Sequence, residues 1–362
     1  MKALVTGGTG YLGRAVSARL LERGADVRCL LRGDPVRAAL DPRVEPARGD
    51  ITDRESVRAA LEGVDVVFHM AAFVKTWARD RTAFDRANVD AVRTLIEEAT
   101  RAGAQRILYT SSFLALGPTD GFIANEETVH TGDRFRNDYE RTKSLGLAVA
   151  RHAMSGGAPL SVLIPGVIYG PGALTDGNHV AKIARSFLDR KLPGIPGSGD
   201  KRWTYSFVDD VADGHMLALD RGRAGQTYIL GGDDEHLAGV LALLERISGV
   251  PAPRRHVPIG VLKMLGRAEL MLAQLTGRIP ELTPGVAEIY DHEWRISSEK
   301  AKRDLGYRVT PIAEGFARTI AWLRAGSASH ESAERSRAAA QAHSGASGDE
   351  GTQPSRASGG RA

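Results

Sequence analysis

The stretch Lys2-Ala-Leu-Val-Thr-Gly-Gly-Thr-Gly-Tyr-Leu-Gly13 lies at the N-terminus and predicts the fold. Its apolar run Ala3-Leu4-Val5 is typical of a buried parallel strand. Gly7, Gly10 and Gly13 follow, and then an amphipathic helical pattern. Glycine permits a tight strand-to-helix turn and a close approach to a pyrophosphate, while free N–H groups at the helix N-terminus bind phosphate. The order therefore predicts dinucleotide binding. A nucleoside triphosphate loop would end in Gly-Lys-Ser/Thr, which this loop lacks.

Composition limits the class of protein. The chain has 362 residues, of which 42% are hydrophobic and 25% charged, so it can form one large domain with an appended lobe. The formal net charge is +4, without a basic stripe interleaved with aromatics, so no nucleic-acid partner is expected. The single cysteine, Cys29, excludes an intrachain disulfide and is expected in the core. Without a signal-peptide pattern or an apolar run long enough to span a bilayer, we expect a cytoplasmic protein.

Strand and helix patterns alternate regularly through the first half of the chain. Further strands are predicted at 26–31, 43–47, 64–69, 106–110, 160–165 and 226–231. The alternation predicts an α/β fold with a doubly wound parallel Rossmann sheet. We expect a dinucleotide-binding core over 1–170, with strands returning near 203–232, and a smaller C-terminal substrate-binding lobe over 171–325. Residues 326–362 have almost no large apolar side chains and are expected to be disordered.

The second strand ends where the adenosine ribose of a dinucleotide lies. An acidic side chain there would bind the 2′-hydroxyl of NAD, whereas an arginine accommodates the 2′-phosphate of NADP. Arg32 follows the strand directly and favours NADP as cofactor. Asp34 lies within reach of a ribose, so NAD stays possible.

A serine, a tyrosine and a lysine that follow the fifth strand predict proton-transfer chemistry. The strand ends in Ser111-Ser112, and Tyr139 and Lys143 open a helix further along the chain. At i and i+4 the phenol and the amine lie on one helical face. A lysine cation beside a phenol favours the phenolate, so we expect a lowered pKa at Tyr139, as general acid catalysis near neutrality requires.

Other polar and apolar patterns have simpler interpretations. His69 ends the fourth strand and is expected to be structural, because no carboxylate partner is spaced to match. Asp209-Asp210 is interpreted as a helix N-terminal cap. Met264 and Met271 lie in a helical pattern over 258–276. We interpret this helix either as part of the core or a lid, or as a flexible wall for an apolar substrate. No histidine, cysteine and carboxylate cluster has metal-ligand spacing.

Taken in order, the motifs resemble the extended short-chain dehydrogenase/reductase superfamily of the NAD-dependent epimerase/dehydratase type, over about residues 1–324. The matching pieces are Thr6-Gly7-Gly8-Thr9-Gly10-Tyr11-Leu12-Gly13, Gly49-Asp50-Ile51-Thr52-Asp53, His69-Met70-Ala71-Ala72, Asn88-Val89-Asp90, Thr110-Ser111-Ser112, Tyr139 with Lys143, Pro165-Gly-Val-Ile-Tyr-Gly-Pro-Gly172, Phe207-Val-Asp-Asp-Val-Ala212, Ser297-Ser298-Glu299-Lys300-Ala301, Leu305-Gly306-Tyr307 and Ile320-Ala-Trp322. Phe73–Asp80 and Tyr228–Gly232 look most like bacterial dihydroflavonol-4-reductase-like proteins, which include hopanoid-associated sugar epimerase-like ones.

The resemblance implies roles for individual residues. Tyr139 would be the catalytic acid/base and Lys143 its partner, which also grips the nicotinamide ribose. Ser112 would be the catalytic serine because it precedes Gly117 by five positions, with Ser111 as the alternative. The remaining cofactor-binding residues would be Gly7, Thr9, Gly10, Tyr11, Leu12 and Gly13 in the loop, Arg32, Asp50 and Ile51 at the adenosine, Ala71 and Ala72 along the cofactor, and Pro165 and Val167 at the carboxamide. A homodimer follows by analogy alone.

Three functions fit these features. The first is an NAD(P)-dependent reductase or dehydrogenase that transfers hydride between nicotinamide and a ketone or secondary alcohol of a cyclic small molecule. The second is a sugar or nucleotide-sugar epimerase or dehydratase with transient redox chemistry, against which Arg32 counts. The third is a non-catalytic dinucleotide sensor, against which the set Ser112, Tyr139 and Lys143 counts.

Overall fold

A seven-stranded sheet is the centre of the computed structural model, which describes residues 1–36, 38–130 and 134–326. Its strands are β1 (Lys2–Thr6), β2 (Asp26–Leu31), β3 (Glu45–Arg48), β4 (Val66–His69), β5 (Arg106–Thr110), β6 (Leu160–Pro165) and β10 (Thr227–Leu230). They lie in the order β3-β2-β1-β4-β5-β6-β10, and every neighbouring pair is parallel. The strand order reverses between β1 and β4, so a crevice opens at the carboxyl ends of these strands.

Helices cover both faces of this sheet, so the inner strands are apolar on both sides, whereas the edge strand β3 is largely exposed. The helices that precede β10 are α1 (Tyr11–Glu22), α2 (Arg54–Ala60), α3 (Thr82–Asp85), α4 (Ala91–Arg101), α5 (Asp138–Ser155), α6 (His179–Leu188) and α7 (Val208–Arg221). On one face α1 and α7 pack around Val16, Leu20 and Val211; on the other α2, α4 and α5 pack around Val57 and Leu95. The predicted doubly wound Rossmann architecture is confirmed.

The remaining elements form smaller sheets and helices. Short strands are β7 (Val167–Tyr169), β8 (Ile195–Pro196), β9 (Arg202–Phe207), β11 (Asp233–His236) and β12 (His256–Val257); β7, β9 and β11 form one sheet, and β8 pairs with β12. The helices are α8 (Leu237–Ser248), α9 (Ile259–Thr276), α10 (Pro284–Ile289) and α11 (Glu299–Leu305), and another helix begins at 312.

The chain divides into two units, Met1–Ile320 and Ala321–Ala362. The first contains both the Rossmann sheet and the smaller sheets, so the division between core and substrate lobe near residue 170 stays a prediction. Of the second unit only 321–326 are described, as helix, and the expected disorder of the tail lies outside the described residues.

Cys29 is a free, buried thiol, as expected; a Cβ placed on Gly8 would lie 2.6 Å from its sulfur. The interpretation of Asp209 and Asp210 as caps is wrong, because Phe207 is the N-cap of α7 and no side chain caps it. Instead, Asp210 accepts hydrogen bonds from the N–H and hydroxyl of Thr310, at 2.6 and 2.7 Å.

The core interpretation of Met264 and Met271 is also wrong. Their side chains on α9 are 60% and 64% exposed, respectively. Helical spacing alone does not say on which side a helix meets the protein, and α9 meets it through its small residues.

Candidate active site

The glycine loop brings β1, α1 and the chain after β4 into contact. Gly7 has φ 77°, and a Cβ there would lie 2.7 Å from the backbone nitrogen of Ala71. At Gly13 a Cβ would lie only 2.1 Å from the Gly7 carbonyl oxygen, so both positions require glycine. The predicted phosphate loop and the predicted Ala71-Ala72 segment therefore lie side by side.

The N-terminus of α1 fits an anion. Gly10 caps the helix without a side chain, and the first turn carries no acidic residue, so the amides of Tyr11 and Leu12 are not neutralised by a carboxylate. The side chain of Tyr11 points elsewhere: a Cβ on Gly172 would lie 2.8 Å from its ring. The backbone N–H of Tyr11, rather than its side chain, would be the group that meets an anion, and the loop fits the pyrophosphate of a dinucleotide.

Charged side chains gather at the carboxyl ends of β2 and β3. Arg32 lies 3.8 Å from Asp50 and keeps 77% of its side chain exposed. The register places Leu31 opposite Arg48, whose guanidinium lies 3.9 Å from Asp34. Sequence reasoning missed Arg48, although it directly precedes the Gly49-Asp50 motif. Two arginines, rather than one, therefore stand at the predicted adenosine site.

Ser112 begins a short 3₁₀ helix, Phe113–Leu116, directly after β5. Its hydroxyl accepts a hydrogen bond from the Leu114 N–H at 3.3 Å, which fixes the side chain. Its side chain also interacts with Tyr139 and lowers the pKa of that phenol. The neighbouring Ser111 is buried, and its N–H donates to the Leu163 carbonyl within the sheet region. Ser112 is thus the serine that the fold brings to the tyrosine.

Tyr139 and Lys143 lie on α5, whose N-terminus is capped by Asn137. The Lys143 ammonium donates to the Thr110 carbonyl at 3.0 Å and lies 5.1 Å from the centroid of the Tyr109 ring. This side chain is only 3% exposed, and burial lowers its pKa to about 7. Lys143 therefore extends from α5 to the carboxyl end of β5, which Ser112 follows in the chain.

The protonation states differ from the expectation. Desolvation raises the pKa of Tyr139 to about 12, which outweighs the lowering by Ser112, and no lowering by Lys143 is seen. The reason is that the same low-polarity surroundings disfavour both charged forms, the phenolate and the ammonium. The expected lowered pKa is not found.

Asn88 connects two segments of the candidate site through side-chain hydrogen bonds. Its side-chain oxygen accepts from the Phe73 N–H at 2.8 Å, and its amide donates to the Thr142 hydroxyl at 3.0 Å. It lies in a π-helical turn, Arg86–Asp90, a geometry frequent at functional sites. The resemblance included this residue without assigning a role. The bonds tie the segment after Ala72 to the helix that carries Tyr139.

His69 has a structural position in the fold, as the sequence interpretation expected. Its ring is fully buried, Nδ1 lies 2.7 Å from the Thr6 hydroxyl, and burial lowers its pKa to about 3. A neutral imidazole of this kind neither stores nor transfers a proton near neutrality.

An aromatic wall lies beyond Pro165 and Val167. Val167 borders an enclosed cavity of about 20 Å³, together with Trp203, Tyr205 and Tyr290. The Trp203 and Tyr290 rings stack at 5.1 Å. The cavity lining carries no Lys, Arg, Asp or Glu. No motif marked these aromatics, because they come from separate elements that only the fold brings together.

The described residues contain neither a candidate metal site nor a helix that could span a membrane. No group of three or more potential metal ligands occurs among them. In the same part of the chain, no helix is sufficiently long and apolar to cross a membrane.

A family model and several known proteins match this chain. The model of the NAD dependent epimerase/dehydratase family matches residues 3–231. Sterol demethylase protein B of Methylococcus capsulatus is 33% identical over 90% of this chain and 98% of its own. A putative dihydroflavonol 4-reductase of Synechocystis is 31% identical over 88% and 94%. The crystal structure of gox2253 superposes with a TM-score of 0.75, at 31% identity over 90% and 98%.

The chain therefore belongs to the NAD-dependent epimerase/dehydratase family. It is an NAD(P)-dependent oxidoreductase of the extended short-chain dehydrogenase/reductase type, which confirms the resemblance drawn from the motifs.

Proposed function

We propose that the protein is an NADP-dependent reductase or dehydrogenase that interconverts a ketone and a secondary alcohol on an apolar, cyclic small molecule. The packing of the turn that Ser112 begins on α5, which places Ser112 beside Tyr139, carries this proposal. When bound, the nicotinamide supplies or accepts the hydride. The protein's task is to orient the carbonyl and to move one proton at its oxygen.

In the reducing direction Ser112 and Tyr139 hydrogen-bond to the substrate oxygen, and Tyr139 donates its proton to it. The raised pKa of Tyr139 keeps the phenol protonated at neutral pH, which suits a proton donor. Lys143, held on the Thr110 carbonyl, lies one helical turn along α5 and supports the charge that develops on the phenol oxygen.

The choice of NADP rests on Arg32 and Arg48. Both side chains are more than 70% exposed at the ends of adjacent strands, so their guanidinium groups are available to a 2′-phosphate. Asp34 and Asp50 lie beside them and are available to a ribose hydroxyl, so NAD is the alternative cofactor. Replacing both arginines by Gln should raise KM for NADPH about tenfold or more, since phosphate contacts of this kind contribute about 1–3 kcal/mol each. If the ratio of kcat/KM for NADPH to kcat/KM for NADH is unchanged in this variant, the two arginines do not recognise the 2′-phosphate.

The substrate side favours an apolar ligand. Beyond Val167, the side chains of Trp203, Tyr205 and Tyr290 line a cavity of about 20 Å³, which is an apolar environment near the predicted carboxamide site rather than a complete substrate pocket. Two relatives bear the names of a sterol demethylase protein and a dihydroflavonol reductase, and both names refer to polycyclic compounds. An epimerase or dehydratase remains the second candidate because the family includes both.

The test is hydride transfer with single-residue variants. NADPH and NADH oxidation would be followed with steroid-like, flavonoid-like and sugar ketones. Tyr139→Phe and Ser112→Ala should each lower kcat by about 10²–10⁴, whereas the matched control Ser111→Ala should keep it within about threefold. Unchanged turnover in Tyr139→Phe would refute the mechanism. Cofactor that copurifies and is never consumed would favour the epimerase or dehydratase. Dinucleotide binding without turnover of any ketone would favour the sensor.

A further inference from the structure

Helix α9 (Ile259–Thr276) lies on the protein with its small residues inward. Its buried residues are Gly266 and Ala273. A Cβ on Gly266 would lie 2.7 Å from the Thr283 carbonyl carbon, so the helix backbone approaches the chain before α10 closely. An ordinary surface helix instead buries its large apolar side chains.

Ile259, Leu262 and Leu270 of α9 are half-buried, whereas seven other large apolar side chains of this region are exposed. They are Val261 (40%), Met264 (60%), Leu265 (49%), Met271 (64%), Leu272 (54%), Leu275 (82%) and Ile279 (48%), and we call them the α9 face. The six that belong to α9 lie on one side of this helix, which is about 27 Å long, and Ile279 follows its C-terminal end. An exposed apolar stripe of this length is typical of an interaction surface.

The charges around the α9 face are basic. Within 259–279, Lys263 is paired with Glu288 at 3.0 Å, and the Glu269 carboxylate accepts from the backbone N–H groups of 281 and 282. Arg267 and Arg278 are exposed, and neither forms an ion pair within the described part of the chain. The segment therefore carries three cationic side chains and one carboxylate, a net charge of +2.

We propose that the α9 face lies flat on an anionic membrane surface, with its apolar side chains among the acyl chains and Arg267 and Arg278 at the phosphates. An apolar face flanked by arginines is the pattern of helices that lie in the membrane interface. The sequence of residues 327–362 contains no Leu, Ile, Val, Met, Phe, Trp or Tyr and so lacks the large apolar side chains that would complement this face.

Hydrogen bonds connect α9 and the residues after it to the segment that follows Ala71-Ala72. The Thr76 hydroxyl donates to the Pro280 carbonyl at 2.7 Å, and Arg79 donates to the Gln274 carbonyl. Both residues belong to the segment that follows Ala71-Ala72. A docked α9 face would hold the entrance of the site at the membrane, where apolar compounds partition. The docking itself does not depend on the proposed reaction.

Vesicle co-sedimentation of the full chain tests the proposal without measuring activity. The vesicles would be phosphatidylcholine alone or phosphatidylcholine with phosphatidylglycerol. Leu275→Glu, at an 82% exposed position, should weaken binding to the anionic vesicles roughly tenfold or more. The matched control Val36→Glu, at 86% exposure, should leave binding unchanged. The variant with both Arg267→Gln and Arg278→Gln should lose the preference for phosphatidylglycerol.

Two outcomes would overturn the proposal. One is a wild-type protein that does not sediment with anionic vesicles. The other is Leu275→Glu binding as the wild type does. If light scattering then shows a wild-type dimer that Leu275→Glu dissociates, the α9 face is instead an interface between two copies of the chain.

Discussion

Replacing Lys143 by Met should stabilise the protein near neutral pH. The Lys143 side chain is 3% exposed, and burial lowers its pKa from the usual 10.5 to about 7. Its contacts are the Thr110 carbonyl at 3.0 Å and the Tyr109 ring. A buried cation without a carboxylate partner destabilises the folded state, and Met fills similar volume without the charge.

The pH dependence follows from the direction of the shift. Below pH 7 the Lys143 amine is charged in both the folded and the unfolded chain, so the folded state is destabilised by the full cost of burying that charge. Between about pH 7 and 10 the folded amine has lost its proton while the unfolded one retains it, so the stability of the wild type rises with pH. Each pH unit contributes about 1.4 kcal/mol. The free energy of unfolding should therefore rise by about 2 kcal/mol from pH 7 to 9, relative to Lys143→Met.

Urea unfolding of both proteins at pH 6, 7, 8 and 9 measures this difference, and the subtraction removes every titration that the two share. The exposed Lys302→Met is the matched control, since it removes a lysine charge without changing a buried site. Parallel stability curves for wild type and Lys143→Met across pH 7–9 would refute the reasoning. The same variant should lose hydride transfer if Lys143 supports Tyr139, so stability and activity change in opposite directions.

Two further predictions concern the scaffold of the site. Gly13→Ala would place a Cβ 2.1 Å from the Gly7 carbonyl oxygen. We expect this variant to lose NADPH binding, measured by fluorescence titration, and about 1–3 kcal/mol of stability. The control Gly260→Ala, whose Cβ meets nothing within 4 Å, should be neutral or stabilising. If Gly13→Ala binds NADPH normally, the close packing of the loop is not required. Asn88→Ala leaves the Phe73 N–H and the Thr142 hydroxyl without this partner, and urea unfolding should show a loss of about 1–3 kcal/mol, with a larger kcat defect than the exposed control Asn125→Ala. Equal defects in the two variants would contradict the positioning role.

The fold followed from sequence because its signals are local. The runs at 26–31, 106–110 and 160–165 are strands with those bounds, and Gly7 and Gly13 stand where a side chain would collide with backbone. In each case the neighbours along the chain determine the geometry, so pattern and turn chemistry suffice. The joining of Ser112 with Tyr139 was predicted through the resemblance, and the fold brings the two residues together.

Features that depend on distant contacts did not follow from sequence. Arg48 reaches the adenosine site only because the register pairs it with Leu31. Trp203 and Tyr290 meet across more than eighty residues of chain to form the wall beyond Val167. The α9 residues Met264 and Met271 have the spacing of a buried face and are exposed, since Gly266 and Ala273 take the inner side. Tertiary packing decides such cases.

Charge was the hardest property to predict, and the Tyr139 and Lys143 pair shows why. Their i, i+4 spacing correctly places them on one helix, but the expected lowering of the phenol pKa assumes that the amine is charged. Burial acts against that charge, lowering the pKa of Lys143 to about 7 while raising that of Tyr139 to about 12. Both shifts have desolvation as their largest cause, and desolvation depends on the whole fold around the helix. Spacing identifies the groups that can act together, whereas burial sets which of them holds the proton, so the catalytic assignment needs the packing as well as the motif.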